Sequence, residues 1–194
     1  MNKKIEKAVE ILKRGGVVVF PTDTVWGIGA SVESNKGMKK LYRIKKRERQ
    51  KPTALLVADV KMAERYGVIK GKAKELVKSH WPGALTLVVK AKRKVPDIIQ
   101  KNGKVGLRVT DSGMVNELCS ELNGGIVAGS ANFAGEALPK KKNEIDIGLV
   151  EKVDLVMDGK VGGGEASTVV EVVEDKIKVL RQGSIEVKSD WEEY

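Results

Sequence analysis

The side chains that could do chemistry in this sequence are hydroxyls, amides and cations that come where predicted strands end. They are Thr24, Lys45, Arg47, Lys51, Arg108, Ser130, Asn132, Ser167 and Arg181. Groups of this kind hold phosphates and carboxylates. They suit phosphoryl or nucleotidyl transfer, because positioning and charge neutralisation carry most of that catalysis. The set therefore predicts a site for anionic substrates.

Histidine and cysteine chemistry is excluded by the composition. His80 is the only histidine, which rules out histidine triads and histidine-rich metal sites, and we interpret it as structural. Cys119 is the only cysteine, so no disulfide or cysteine-rich zinc site can form within one chain. Its place between Leu118 and Leu122 on a predicted amphipathic helix indicates a packed residue rather than a nucleophile. We predict no metal site built from protein side chains.

Two glycine-rich stretches do not match the standard nucleotide motifs. GIGASV at 27–32 has Val32 where a dinucleotide fingerprint requires glycine or alanine. GKVGGGEAST at 159–168 has no lysine before its hydroxyl pair, so it is not a Walker loop. Its glycines leave two alternatives open, a backbone cradle for phosphate or carboxylate and a flexible surface loop.

The stretch VVVFPTDT at 17–24 shows how an element can position reactive groups. The apolar run 17–20 predicts a buried strand that Pro21 ends. Thr22, Asp23 and Thr24 then follow its carboxyl end, where open α/β sheets usually place ligands. An ordinary turn is the alternative, since the same residue types are common in loops.

Helices and strands alternate along most of the chain. The patterns predict helices at 2–14, 35–47, 59–66, 70–79, briefly after Pro96, at 112–122 and at 143–151. They predict strands at 17–20, 53–58, 84–90, 106–109, 126–132, 154–157, 168–173 and 177–181. Alternation first and a hairpin-like pair later indicate an α/β fold with a twisted open mixed sheet and flanking helices, in one domain over 1–194.

Positive charge is concentrated along the chain. The sequence has 36 Lys and Arg against 26 Asp and Glu, and residues 36–51 hold nine basic residues and one acid. A weaker basic stretch spans 90–104. These stretches favour a polyphosphate or nucleic-acid partner, and a lysine-rich solvated face is the alternative.

The patterns also bear on where the protein works. No apolar run approaches the ~18 residues of a membrane span, and 2–14 reads as an amphipathic helix rather than a signal peptide. With one cysteine, we expect a soluble, cytoplasmic protein in a reducing compartment without a membrane partner.

Seven motifs occur together in one order: PTDTVWGIGA, LYRIKKRERQKP, WPGALTLVV, VGLRV, IVAGSANFAGE, ASTVVEV and VLRQGSI. In sequence and spacing they resemble the short, single-domain form of the YrdC-type threonylcarbamoyl-AMP synthases, over nearly the whole chain. The resemblance implies a deep, basic concave pocket. It also implies an activity that joins L-threonine, bicarbonate and ATP into threonylcarbamoyl-AMP with release of pyrophosphate.

The resemblance further implies a role for each candidate residue. Threonine would be bound by Thr24, Arg108 and Ser167. ATP would be bound by Arg47, Lys51, Ser130, Asn132 and Arg181, and the catalytic cations would be Lys45, Arg47 and Lys51. The chain departs from the family pattern at Trp26, Lys46, Glu48, Thr110 and Leu138. Leu138 replaces a serine near the nucleotide in many members, which affects one ATP contact.

The family chemistry needs no protein nucleophile, and Mg²⁺ would accompany ATP as the cofactor. Asp23 could help hold that metal, order the loop or stabilise the turn. The expected partner is the tRNA-modifying complex that transfers the threonylcarbamoyl group to the adenosine beside the anticodon.

Two other functions stay open at this stage. The first is an RNA-binding module that grips tRNA or double-stranded RNA through 36–51, although aromatic residues make up only 4% of the chain and are sparse for base stacking. The second is a carbamoyl-handling relative that uses carbamoyl-adenylate. The zinc-finger and acylphosphatase domains that accompany the YrdC-like domain in larger carbamoyltransferases are absent from this sequence.

Overall fold

The computed structural model describes residues 2–46 and 53–191. The α-helices are α1 Lys3–Lys13, α2 Asn35–Ile44, α3 Val60–Tyr66, α4 Lys72–His80, α5 Gly113–Leu122 and α6 Ile147–Val150. The strands are β1 Val18–Pro21, β2 Trp26–Ser31, β3 Ala54–Val57, β4 Leu85–Lys90, β5 Lys104–Val109, β6 Ile126–Ser130, β7 Leu155–Val156, β8 Thr168–Val173 and β9 Lys176–Arg181. Short 3₁₀ turns occur at Asp97–Ile99 and Lys142–Glu144.

All the strands of the described residues belong to one mixed sheet. Its order is β7-β1-β2-β6-β3-β5-β4-β8-β9. The pairs β7–β1, β3–β5 and β4–β8 are parallel, and the other neighbours are antiparallel. The predicted mixed α/β sheet is confirmed, including the β8–β9 hairpin.

Helix α1 shows how the sequence fixes a local element. Asn2 caps it by accepting a hydrogen bond from the backbone N–H of Lys4, and Gly15 follows its end with φ of +82°, a conformation that suits glycine. Its apolar stripe, which includes Leu12, is buried, and the helix contacts α5. None of the described helices is long and apolar enough to cross a membrane.

The central strands present different side chains to the two faces of the sheet. Leu55, Leu87 and Leu107 are fully buried in the hydrophobic core, on the side where α3, α4 and α5 pack against β3, β4 and β5. Their neighbours Ala54 and Gly106 point to the opposite face, because side chains alternate along a strand, and line a pocket there. Along β3, β4 and β5, one face of the sheet therefore builds the core and the other carries the pocket.

Strand β2 was missed by the sequence patterns. Its sequence, WGIGAS, is fully buried and has no polar alternation. Gly27 and Gly29 serve close packing: an added Cβ would lie 2.9 Å from the Phe20 ring at Gly27 and 2.6 Å from Ile126 at Gly29. Pro21 does not lie beyond β1 but is its last residue, paired with Trp26 across the hairpin.

The helix predicted at 143–151 is also shorter in the structure. It consists of a 3₁₀ turn and the four-residue α6. Asp146 caps α6 by accepting a hydrogen bond from the Gly148 N–H, so the chain changes direction between the two pieces.

Candidate active site

The pocket on the open face of the sheet has a volume of about 550 Å³, within the range of small-molecule sites. Five predicted site residues line it: Thr24, Arg108, Ser130, Ser167 and Arg181. Lys45 and Asn132 bond to Ser130 or to each other at its edge. Arg47 and Lys51 lie outside the described residues, as does Glu48.

The turn between β1 and β2 is organised by Thr22. Its Oγ1 accepts hydrogen bonds from the backbone N–H groups of Thr24 and Val25, at 3.1 and 3.2 Å, and donates to the Val25 carbonyl at 2.8 Å. Because Thr22 uses its proton there, the hydroxyl of Thr24 must donate in the 2.9 Å contact between the two hydroxyls. The Thr24 oxygen is therefore left to accept hydrogen bonds, and one of them comes from Arg108.

Arg108, on β5, is held by three acceptors. Its Nε donates to the Gly83 carbonyl at 2.9 Å, its Nη1 to Thr24 Oγ1 at 3.1 Å and its Nη2 to Asp23 Oδ1 at 2.7 Å. Burial lowers the pKa of Arg108, and the carboxylate of Asp23 opposes that effect. Of the alternatives for Asp23, these contacts favour ordering of the site, since its carboxylate pairs with Arg108.

Ser167 joins the strands that form another wall of the pocket. Its Oγ lies 2.8 Å from Thr86 Oγ1 on β4. Arg181, at the end of β9, donates through Nη2 to the Ser167 carbonyl at 2.7 Å and to its Oγ at 3.2 Å. The sequence singled out Ser167 and Arg181 but missed Thr86, which only the β4–β8 register brings beside them.

Lys45, Ser130 and Asn132 form a compact cluster at the end of β6. The Lys45 ammonium donates to the Ser130 carbonyl at 2.6 Å, to Asn132 Oδ1 at 3.2 Å and to the Asn132 carbonyl. The Ser130 hydroxyl donates to Asn132 Oδ1 at 2.6 Å. Lys45 is only 7% exposed, so it shapes this segment from behind the pocket wall.

The hydrogen bonds of the glycine loop argue against the backbone cradle, one of the two interpretations drawn from the sequence. The N–H groups of Gly162, Gly163 and Gly164 donate to the carbonyls of Thr22, Asp23 and Thr24, at 3.1, 3.2 and 2.8 Å. Backbone amides bonded in this way cannot also cradle a phosphate. An added Cβ at Gly162 would lie 2.0 Å from the Asp23 carbonyl oxygen, so only glycine fits this close approach. We call residues 162–164 the glycine strap.

The far end of the pocket carries charged residues that the motifs did not identify. Lys101, Lys104, Lys178 and Glu171 line it, and Lys104 forms an ion pair with Glu171. Together with Arg108 and Arg181, the described lining has five cations and one acid. The basic stretch 90–104 was the only sequence signal for the lysines of β5 and the turn before it.

The residues that depart from the family pattern differ in their burial and in whether they line the pocket. Leu138 lines the pocket, where it offers an apolar surface. Trp26 is 1% exposed and Thr110 is fully buried, so both act in the packing around the site. Lys46 has φ of +46°, and its ammonium lies 5.8 Å from the centre of the Phe133 ring.

Taken together, the fold and site define a mixed α/β protein whose open sheet face carries a pocket lined by hydroxyl groups and cations. The Sua5/YciO/YrdC family model, described as "Telomere recombination", matches residues 10–183. This chain therefore belongs to the Sua5/YciO/YrdC family.

Among curated proteins, the chain is 35% identical to one from Methanocaldococcus jannaschii whose name gives threonylcarbamoyl-AMP synthase as a provisional assignment. The match spans 188 residues, 94% of this chain and 89% of the relative. The Threonylcarbamoyl-AMP synthase of Stenotrophomonas maltophilia is 31% identical over 163 residues, 82% of this chain and 88% of that protein.

Among solved structures, the chain resembles P. abyssi Sua5 complexed with L-threonine. The TM-score is 0.87 at 28% identity, over 92% of this chain and 54% of that one. The chain thus spans about half the length of that structural relative.

Proposed function

We propose that this protein is an L-threonylcarbamoyladenylate synthase, which forms threonylcarbamoyl-AMP and pyrophosphate from L-threonine, bicarbonate and ATP. The observation that carries the proposal is the buried Arg108, bonded to Thr24 and Asp23 at the wall of a pocket that also exposes Ser167 and Ser130. The names of the similar proteins and the threonine complex of the structural relative support the same function.

In this proposal the threonine substrate lies at the Arg108 end of the pocket. A planar guanidinium can bond both oxygens of a carboxylate, which a lysine cannot do with the same geometry. Thr24 and Ser167 lie on either side and supply hydroxyls for the polar atoms of the amino acid. The carboxylate would thereby be fixed while the amine faces the middle of the pocket.

The nucleotide lies, in the same proposal, against Ser130 at the end of β6 and Arg181 at the end of β9. Ser130 and Arg181 face the pocket there, and Asn132 and Lys45 hold Ser130 in place. Arg47 and Lys51, which the family resemblance assigns to the phosphates, belong to the proposal on that resemblance alone.

The proposed reaction proceeds in two steps. The amine of threonine attacks bicarbonate and forms a carbamate with loss of water. A carbamate oxygen then attacks the α-phosphorus of ATP, and the bond to the bridging oxygen breaks with its electrons leaving on pyrophosphate. All the reacting species are anionic, so the lining cations lower their mutual repulsion, and the protein holds the groups in line without forming a covalent bond.

Mg²⁺ is proposed to enter with ATP rather than on the protein. The described residues contain no group of three or more metal-ligating His, Cys, Asp or Glu side chains. The two carboxylates beside the pocket, Asp23 and Glu171, are paired with Arg108 and Lys104. When bound, the ion would neutralise phosphate charge, and phosphates are its natural ligands.

We also propose that the product passes to a tRNA-modifying threonylcarbamoyl transferase complex in the cytoplasm. Threonylcarbamoyl-AMP is a mixed anhydride, and such a compound reacts readily with nucleophiles, including water. The enzyme that consumes it must therefore transfer the acyl group from AMP to an amine.

The proposal is tested by incubating the purified protein with ATP, Mg²⁺, bicarbonate and L-threonine, and by omitting each in turn. We expect pyrophosphate release that requires both threonine and bicarbonate. Pyrophosphate release that does not depend on threonine would contradict the proposal. A folded protein that releases no pyrophosphate in any of the mixtures would also contradict it.

A further inference from the structure

Among the described residues, Asp23 is the one acidic side chain bonded to Arg108. Its Oδ1 lies 2.7 Å from Arg108 Nη2, and the side chains of Arg108 and Asp23 are only 7% and 12% exposed. A buried guanidinium without a counter-charge would be unfavourable, and a mobile one would bind poorly. The pair therefore has both an electrostatic and a geometric role.

The hydrogen-bond donors of Arg108 show what the pair leaves for a ligand. A guanidinium has five N–H donors, and the described contacts occupy one on each nitrogen, toward Gly83, Thr24 and Asp23. Within the described residues this leaves one N–H on Nη1 and one on Nη2. Two donors on two nitrogens match the two oxygens of a carboxylate.

Asp23 is itself held in place by the glycine strap. Its carbonyl accepts a hydrogen bond from the Gly163 N–H, and the flanking carbonyls of Thr22 and Thr24 accept from Gly162 and Gly164. Three consecutive backbone bonds fix the peptide that carries the carboxylate. The direction of the Asp23 side chain is thus set by the backbone rather than by Arg108 alone.

We propose that Asp23 is a positioning residue for threonine recognition: it fixes Arg108 so that its two remaining N–H groups meet the substrate carboxylate. The inference rests on the proposed function, because it takes Arg108 as the carboxylate partner. Asp23 touches no substrate atom in this account and acts through Arg108.

The experiment compares D23A and D23N with the unaltered protein, and uses D158A as the matched control. Asp158 also pairs with two cations, Lys4 and Lys142, but its side chain is exposed and does not line the pocket. Binding of L-threonine and of L-threonine amide, which lacks the carboxylate, is measured by calorimetry. The KM for ATP is measured in parallel.

For D23A we expect L-threonine to bind about tenfold more weakly or worse, because misplacing a binding group by a fraction of an ångström is costly. The KM for ATP should change less than about twofold. The preference for threonine over its amide should shrink by the same factor as the loss in affinity, which a general loss of structure would not produce. D23N keeps an acceptor oxygen and should fall between D23A and the unaltered protein, while D158A should match the latter.

The outcomes separate the two proposals. If the unaltered protein makes product and binds threonine, but folded D23A retains both affinity and preference, the positioning role is wrong and the synthase function stands. If the unaltered protein binds no threonine, the proposed function itself fails. Should D23A not fold, unchanged threonine affinity and amide preference in D23N would overturn the inference.

Discussion

At the scale of single residues, the proposed function depends most on the geometry of Arg108. It is almost fully buried, yet its position on β5 brings it to the pocket between Thr24 and Asp23. A buried cation is retained at a cost in desolvation, and in the proposed function the planar guanidinium binds the carboxylate of threonine.

Replacing Arg108 with lysine tests whether the geometry of its guanidinium is needed. R108K keeps a positive charge but loses the fork of donors, so we expect kcat/KM for threonine to fall roughly 100-fold, while the KM for ATP changes little. Steady-state kinetics with each substrate varied in turn measure both values. R65K is the control, since Arg65 bonds to Asn123 on the surface. Equal losses of kcat/KM in R108K and R65K would show that Arg108 has no specific role in threonine recognition.

Cys119 gives a prediction about pH. Burial raises the pKa of its thiol to about 12, from an ordinary value near 9. The folded state therefore holds this proton more tightly than the unfolded state, so stability is full below pH 9 and falls as pH rises toward 12. Urea unfolding at pH 7 and pH 10 should show an extra loss of about 1 kcal/mol that C119A does not share. An identical pH dependence in C119A would contradict this account.

Site residues that belong to recognisable motifs could be predicted from the sequence. Residues whose role depends only on contacts in the folded structure could not. Thr24, Arg108, Ser130, Ser167 and Arg181 were all expected at the site and line one pocket. Thr22 was noted in the turn but given no role, and Thr86 was not identified, because their roles arise from hydroxyl contacts that depend on the turn and on strand register. The roles assigned to Lys45, Arg47 and Lys51 remain predictions.

At the scale of elements, the glycine strap connects the segment between β7 and β8 to the turn that carries Thr24. The backbone N–H groups of its three glycines donate hydrogen bonds to the carbonyls of three consecutive residues of that turn. Gly162 packs its Cα against the Asp23 carbonyl, while an added Cβ at Gly163 would meet no atom within 4 Å. An added side chain would therefore clash at Gly162 but not at Gly163.

This contrast provides a matched pair of variants. G162A must push the strap away from the turn, so we expect the KM for threonine to rise about tenfold and the melting temperature to fall by several degrees. G163A should behave like the unaltered protein in both measurements. Threonine kinetics and thermal melting are read on the same samples. Equal behaviour of G162A and G163A would show that the strap does not support the threonine end.

Element boundaries were predictable where apolar periodicity was clear and failed where packing decided the conformation. The amphipathic pattern of α1 and the β-branched run of β8 gave their elements nearly to the residue. Strand β2 was missed because its glycines, which disfavour a strand in isolation, are required by Phe20 and Ile126 across the sheet. The strand propensity of a segment does not reflect which residues pack against it in the folded protein.

At the scale of the whole molecule, the sheet order was beyond the sequence patterns. β6 lies between β2 and β3, and β4 lies between β5 and β8, so neighbours in the sheet are far apart in the chain. This arrangement brings residues from β5, β6 and the segments around β8 and β9 to one pocket. The mixed α/β class followed from the alternation of elements, but the convergence of the site required the topology.

The net charge of +10 bears on the rival RNA-binding function. Binding to an RNA backbone releases counterions and weakens steeply with salt, whereas a walled pocket holds ATP with less screening. Between about 0.05 and 0.5 M salt, we expect ATP affinity to fall less than roughly tenfold and tRNA affinity to fall by at least 100-fold. Parallel binding titrations check this. An equally steep loss for ATP would place the nucleotide on the open surface.

The most direct test of the central claim follows the carbon of bicarbonate into the product. The protein is incubated with ATP, Mg²⁺, L-threonine and ¹³C-labelled bicarbonate, and the nucleotide products are analysed by mass spectrometry. We expect threonylcarbamoyl-AMP that is heavier by the labelled carbon, formed in equal amount with pyrophosphate. An adenylated product without the label, or AMP and pyrophosphate with no threonylcarbamoyl group, would contradict it.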